Sequence, residues 1–156
     1  MKRRTLWLTM LCFACSAPAG GHDPQKPAPA PEAETAILAL ADSAFAAARA
    51  RDPGRFAAVF SDRPDFVYLI NTRLLPSRDS VRSTFAGMLS RQRRFEPVWG
   101  TRTVQVLSPG AGVLTGGFRT SAERQSGESW GAEGVVTFVA VREPDGWKIV
   151  NWHTTE

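Results

Sequence analysis

The chain has 156 residues, with 19 Lys and Arg against 15 Asp and Glu and only two cysteines. That length suits one compact domain with a single core. The cationic excess is local: taking away Lys2, Arg3 and Arg4 leaves 16 cations against 15 anions. A near-neutral body argues against nucleic acid as a partner.

Met1-Lys2-Arg3-Arg4 precedes the apolar run Leu6 to Ala14 and then small residues, the layout of an export signal too short to span a bilayer permanently. Within it, Leu11-Cys12-Phe13-Ala14-Cys15-Ser16 resembles a bacterial lipobox, with Cys12 where Leu is usual. The resemblance implies that residues 1–15 are a lipoprotein signal. Cys15 would then carry the lipid and hold the protein at the membrane, in the cell envelope or periplasm. Ordinary cleavage near Ala17 or Ala19 is the alternative. Cys12 and Cys15 both belong to this segment, so the exported body holds no internal disulfide. Residues 16–31, rich in proline and alanine with Pro18, Pro24, Pro27, Pro29 and Pro31, read as an extended tether. Residues 32–156 are then the domain.

From Glu32 the apolar stripe Ile37, Leu38, Leu40, Ala41, Phe45 and Ala48 predicts a long helix ending near Arg51-Asp52-Pro53-Gly54. Arg55 to Phe60 reads as a short second helix, and Phe66 to Ile70 as a buried strand leading to a turn at Asn71-Thr72-Arg73. Ser77 or Asp79 can cap a third helix with the stripe Val81, Phe85, Met88 and Leu89. The basic run Arg91-Gln92-Arg93-Arg94 is expected to be the solvated end of that helix rather than a phosphate site. Beyond it, residues 98–107, 112–121 and 130–141 alternate as strands, and Gly116-Gly117 suggests a bulge or bend. Pro144-Asp145-Gly146 then turns the chain into a last strand. Helices first and strands afterwards make an α+β domain.

Strand periodicity on that last arm puts Trp147, Ile149, Asn151 and His153 on one face and Lys148, Val150, Trp152 and Thr154 on the other. Lys148 marks its own face as the one nearer solvent or a partner. Asn151 and His153 are therefore expected to look inward, and Val150 and Trp152 toward a partner.

The hairpin "VTFVAVREPDGWKIVNWHTTE", preceded by helix-helix-strand-helix, resembles the SnoaL-like or nuclear transport factor 2-like superfamily, particularly its branch of domains of unknown function (DUF4440-like). The resemblance covers about Glu32 to Glu156. It implies a cone-shaped fold, a strongly curved antiparallel sheet wrapped over about three N-terminal helices, with a pocket between the two. It also implies a homodimer formed through the outer face of the sheet. The superfamily includes isomerases, cyclases, hydrolases, dehydratases and domains that only bind or assemble, so fold alone does not give activity. Ketosteroid-isomerase relatives use a carboxylate base, and no aspartate here matches it.

Candidate site residues follow from chemistry and placement. His153 could move a proton near neutral pH, or be a core histidine bonded to a backbone carbonyl. Asn151, two residues earlier, could orient a ligand carbonyl. Tyr68, the only tyrosine, lies in an apolar strand where its hydroxyl needs a partner. Glu133 could supply a carboxylate to His153. Trp99 and Trp130, with Trp147, could form an aromatic wall for an apolar ligand, although aromatics on sheets are commonly plain core. Trp152 and Val150 are candidates for a dimer contact. No cysteine remains in the domain and His153 stands alone in it, so no metal site is expected. No phosphate-cradling glycine loop precedes a helix, and no cofactor is expected. Three readings remain open: a binder of a small apolar molecule, a cofactor-independent lyase, isomerase or hydrolase using His153 for proton transfer, and a structural envelope assembly protein.

Overall fold

The computed structural model describes residues 30–156. The export signal, the lipid site at Cys15 and most of the tether lie outside the described residues. Helix α1 (Ala30–Arg49) begins two residues inside the stretch expected to be tether. Pro31 sits in its first turn, where an amide hydrogen would have no helical partner anyway.

Alanines at the buried positions Ala41, Ala44 and Ala48 bring α1 close to the sheet, and Ile37 and Phe45 fill the gap. Ile37 packs directly over Gly112, where a Cβ would stand 2.5 Å from Ile37 Cδ1. Asp52 caps α2 (Pro53–Ala58) by accepting from the Arg55 amide at 2.9 Å. Two short strands follow, β1 (Val67–Ile70) and β2 (Arg73–Leu75). Helix α3 (Arg78–Leu89) starts in a capping box between Ser77 and Ser80, and it buries Val81, Phe85 and Leu89.

Four long strands complete the chain: β3 (Gln92–Ser108), β4 (Ala111–Arg124), β5 (Ser129–Glu143) and β6 (Gly146–Thr155). With β1 and β2 they form one sheet in the order β2-β1-β6-β5-β4-β3. All neighbours are antiparallel except β1 and β6, which run parallel. The domain is α+β, a curved open sheet with the helices packed in its concavity.

Two strand features depart from the sequence expectation. The stretch Arg91-Gln92-Arg93-Arg94 is not a helix end. Gln92 is buried, accepts from Trp130 Nε1 at 3.0 Å and starts β3, while Arg93 pairs with Glu123 and Arg94 with Glu96. The bend foreseen at Gly116-Gly117 lies on the facing strand. Gly100 and Thr101 of β3 stand opposite Gly117 alone, between the pairs Trp99 with Phe118 and Arg102 with Gly116. Two residues against one sharpen the local twist and bend the sheet toward the helices.

The consequential irregularity is on β6. Ala140 pairs with Ile149, and Val139 with Asn151, leaving Val150 as an extra residue. At the same place β6 changes its other neighbour. The Ile149 amide donates to Val59 O and its carbonyl accepts from the Ser61 amide, both at 2.9 Å, before pairing with β1 resumes at Asn151. The bulge inverts the alternation beyond it. Ile149, Trp152 and Thr154 are buried, whereas Asn151 and His153 are exposed.

Candidate functional site

The inversion decides which residues can meet a ligand. On the inner face, cross-strand pairing aligns Tyr68 with Trp152 and Trp152 with Phe138. The Trp152 ring stacks between Tyr68 (5.7 Å, 6°) and Phe138 (5.4 Å, 3°), with Phe60 edge-on at 5.8 Å. One step along the strands, Ile70, Thr154 and Val136 form the next inner row.

A cavity of about 60 Å³ lies between these rows and the helices. Its sheet wall includes Tyr68, Trp152, Thr154 and Thr120, and its helical wall includes Phe45, Phe56, Phe85 and Met88. Most of the lining is apolar, and two of its residues hold buried polar atoms. The buried Trp152 Nε1 and Thr154 Oγ1 have no hydrogen-bond partner among the described residues. A buried donor left unpaired costs about 1–3 kcal/mol, so two such atoms in residues beside a cavity call for an explanation. Glu156 also lines the cavity; its side chain is exposed, and its amide donates to Asn71 Oδ1 at 3.1 Å.

Tyr68 is 2% exposed. Burial first, and the Glu156 charge second, push its phenol above the ordinary range. The native state thus holds this proton more tightly than the unfolded chain. The resulting stabilisation is complete below pH about 10 and declines as pH rises beyond it. Since Tyr68 is the only tyrosine, phenolate absorbance reports on it alone. We expect that absorbance to emerge only as the fold is lost in alkali, and Tyr68→Phe to remove this contribution to the alkaline transition. A phenolate titration near pH 10 with near-UV circular dichroism intact would contradict the burial.

Of the sequence-predicted residues, the structure brings only Tyr68 to the cavity in the expected sense. Asn151 and His153 are corrected to the outer face by the Val150 bulge, and His153 lies in register with Leu69 and Thr137 there. Trp152, expected at a dimer contact, is 2% exposed and lines the cavity instead. Val150, the bulged residue, is half-buried. Glu133 is exposed and pairs with Arg119 at 2.7 Å. Trp99 and Trp130 pack on the core, with Trp99 Nε1 donating to Ala41 O and Trp130 Nε1 to Gln92 Oε1. Neither lines the cavity. Thr154, Thr120, Met88 and Glu156 were missed as site residues. The spacing of three between Ile149 and Trp152, both strongly apolar, was the available signal for a phase change.

A second depression of about 310 Å³ lies over Gly100, Gly117 and Gly134, beside the Arg119–Glu133 pair. It is larger, but its lining is more polar and includes no buried unpartnered atom. Among the described residues no group of three or more His, Cys, Asp or Glu is placed to hold a metal ion. No helix among them is long and apolar enough to cross a membrane.

The family model described as "SnoaL-like domain" matches residues 37–154, which include every residue lining the cavity except Glu156. A search of curated proteins finds no match. Among solved structures, a protein provisionally named a calcium/calmodulin-dependent protein kinase II association domain, from Xanthomonas campestris, is 25% identical. It aligns over 76% of this chain and 84% of its own with a TM-score of 0.67. A nuclear transport factor 2-like superfamily protein from Salmonella enterica is 15% identical over 80% of this chain and 90% of its own, with a TM-score of 0.73. A protein from Novosphingobium aromaticivorans, provisionally named scytalone dehydratase, is 14% identical over 79% and 83%, also with a TM-score of 0.73. The last two likenesses carry the fold alone. With most of its described length matched by the family model and its curved sheet shared with nuclear transport factor 2-like structures, the chain belongs to the SnoaL-like family.

Proposed function

We propose that this is an exported, lipid-anchored SnoaL-like domain that binds a small, largely apolar molecule in its cone and acts as a homodimer. The observation carrying the binding reading is the largely apolar cavity between sheet and helices, whose lining residues Trp152 and Thr154 each hold a buried polar atom without a partner among the described residues. A sealed and wholly apolar interior would instead have favoured a structural assembly role. Proton transfer through His153 loses its support, since that side chain is on the outer face. The free space corresponds to roughly four water molecules. A small ring therefore enters with some rearrangement, for which the unbranched Met88 is the adaptable neighbour. Native mass spectrometry of the purified protein should reveal a bound small molecule that Trp152→Phe releases more readily. A chain mass with no adduct, unchanged on adding small ring compounds, would sink the reading.

Dimerisation is inferred from the outer sheet face. The rows Leu74, Leu69, His153, Thr137, Thr115, Thr103 and Val67, Asn151, Val139, Val113, Gln105 cross it without one Lys, Arg, Asp or Glu. Leu74 and Val135 on this face are 57% and 50% exposed. A broad uncharged surface of this kind suits a second copy of the same face. Val135→Asp should convert a dimer into a monomer in sedimentation velocity. A wild-type monomer at tens of micromolar would refute the pairing.

The anchor rests on the lipobox resemblance at Cys15. Labelled palmitate is expected to enter the wild-type chain and not Cys15→Ala. An unlabelled wild-type chain would leave ordinary signal cleavage as the export route.

A further inference from the structure

His153 sits at the centre of the uncharged outer face of the sheet. Strands β6 and β5 are the middle pair in the order β2-β1-β6-β5-β4-β3. Along them, the row of His153 and Thr137 lies between the row of Asn151 and Val139 and the row of Thr155 and Val135. The His153 side chain is exposed. Its neighbours on this face are Leu69 and Val67 from β1, Thr137, Val139 and Val135 from β5, and Asn151 and Thr155 from β6. None of them titrates or carries a charge. Charged groups begin four residues away along the adjoining strands. Asp65, paired with Arg63, lies four before Leu69, and Glu133, paired with Arg119, lies four before Thr137. Lys148, bonded to Asp145 and Ala58 O, is in register with Val141, four beyond Thr137. Four residues of strand span about 13 Å, more than the screening length of about 8 Å at physiological salt. Arg73 pairs with Ile70 of the inner row and Glu156 lines the cavity, so both belong to the other side of the sheet.

We propose, resting on the homodimer reading above, that His153 makes the pairing of two copies pH-sensitive: neutral imidazoles are buried together, and protonation drives the copies apart. A two-fold interface joins the same patch of each copy, so a residue at the centre of the patch lies near its own counterpart. Packed sheets stand about 10 Å apart, which brings His153 and the partner's His153 within reach of each other. A proton on either imidazole then loses water on burial and has no carboxylate beside it. The separated copies therefore bind protons better than the pair. The dimer is favoured at high pH and lost as pH falls through the range in which histidine gains its charge.

Sedimentation equilibrium of the purified protein at pH 7.5 and 5.5, at one ionic strength, reads the effect. Two protons excluded from the pair should raise the wild-type dissociation constant about a hundredfold between those values. His153→Gln should dimerise with one affinity at both, and His153→Lys should be monomeric at both. The glutamine variant also separates His153 from His22, the chain's other histidine. A wild type that is monomeric at pH 7.5 and tens of micromolar would remove the homodimer reading and the switch with it. A wild type equally dimeric at both values, or a His153→Gln variant that weakens alongside it, would overturn the switch and leave the dimer standing.

Discussion

Replacing Trp152 by alanine is expected to lower the unfolding free energy by about 3–5 kcal/mol, a large part of the roughly 5–15 kcal/mol available to such a domain. The side chain is 2% exposed and joins sheet to helical layer through Tyr68, Phe138 and Phe60. Its removal leaves a void beside an existing cavity, which the long strands β5 and β6 hold open. Trp152→Phe should cost much less. Lost area and stacking are offset by removal of an indole N–H that is unpaired among the described residues. Urea unfolding of the three proteins checks the order. A cost below about 1 kcal/mol for Trp152→Ala would place this side chain on the surface, as simple alternation along β6 suggests.

Gly134→Ala should be destabilising by about 3 kcal/mol, the upper end for overpacking, although the change adds only one methyl group. The new Cβ would overlap the Thr155 carbonyl oxygen and stand 2.7 Å from the Phe118 ring. A side-chain tip can turn away, but the Thr155 carbonyl belongs to β6, whose pairing with Val135 fixes its position. Gly127→Ala is the useful contrast. Gly127 has φ +88 and nothing within 4 Å of the added carbon, so only backbone strain of about 1 kcal/mol is expected there. Thermal unfolding of both variants distinguishes crowding from strain. Equal losses at the two glycines would mean that β6 yields where the pairing says it cannot.

The fold was largely legible because it rests on local signals. The stripe Ile37 to Ala48, the Ser77 cap and the turn at Pro144-Asp145-Gly146 each specify their element through nearby residues. Strand β2 was not legible. Three residues have too little pattern, and Leu75 is buried by pairing with Tyr68 rather than by any periodicity. The start of β3 was hidden for another reason. Gln92 and its arginine neighbours look like a solvated face until Trp130 and Glu123, distant in sequence, supply their partners.

The site was misread through one residue. Lys148 sets the phase of β6 only as far as the strand stays regular. Lys148 does reach outward, to Asp145 and Ala58 O. Two residues later the bulge at Val150 transfers the inner face to Trp152 and Thr154. Its cause is the exchange of β6 neighbours from the Val59–Ser61 segment to β1, a tertiary event with no local mark. Hydrophobicity alone favoured Trp152 over Asn151 as the buried residue.

The central claim is that the cavity walled by Trp152 takes a small, largely apolar molecule. Its most direct test is the indole N–H region of a 15N–1H spectrum recorded while acetophenone is added, with the Trp152 signal assigned by its absence in Trp152→Phe. The account predicts a progressive, saturable shift of that signal, with much smaller movement of Trp99 and Trp130, whose N–H groups are already bonded to Ala41 O and Gln92 Oε1. A Trp152 signal that stays still while the probe binds elsewhere, or does not bind, would contradict it.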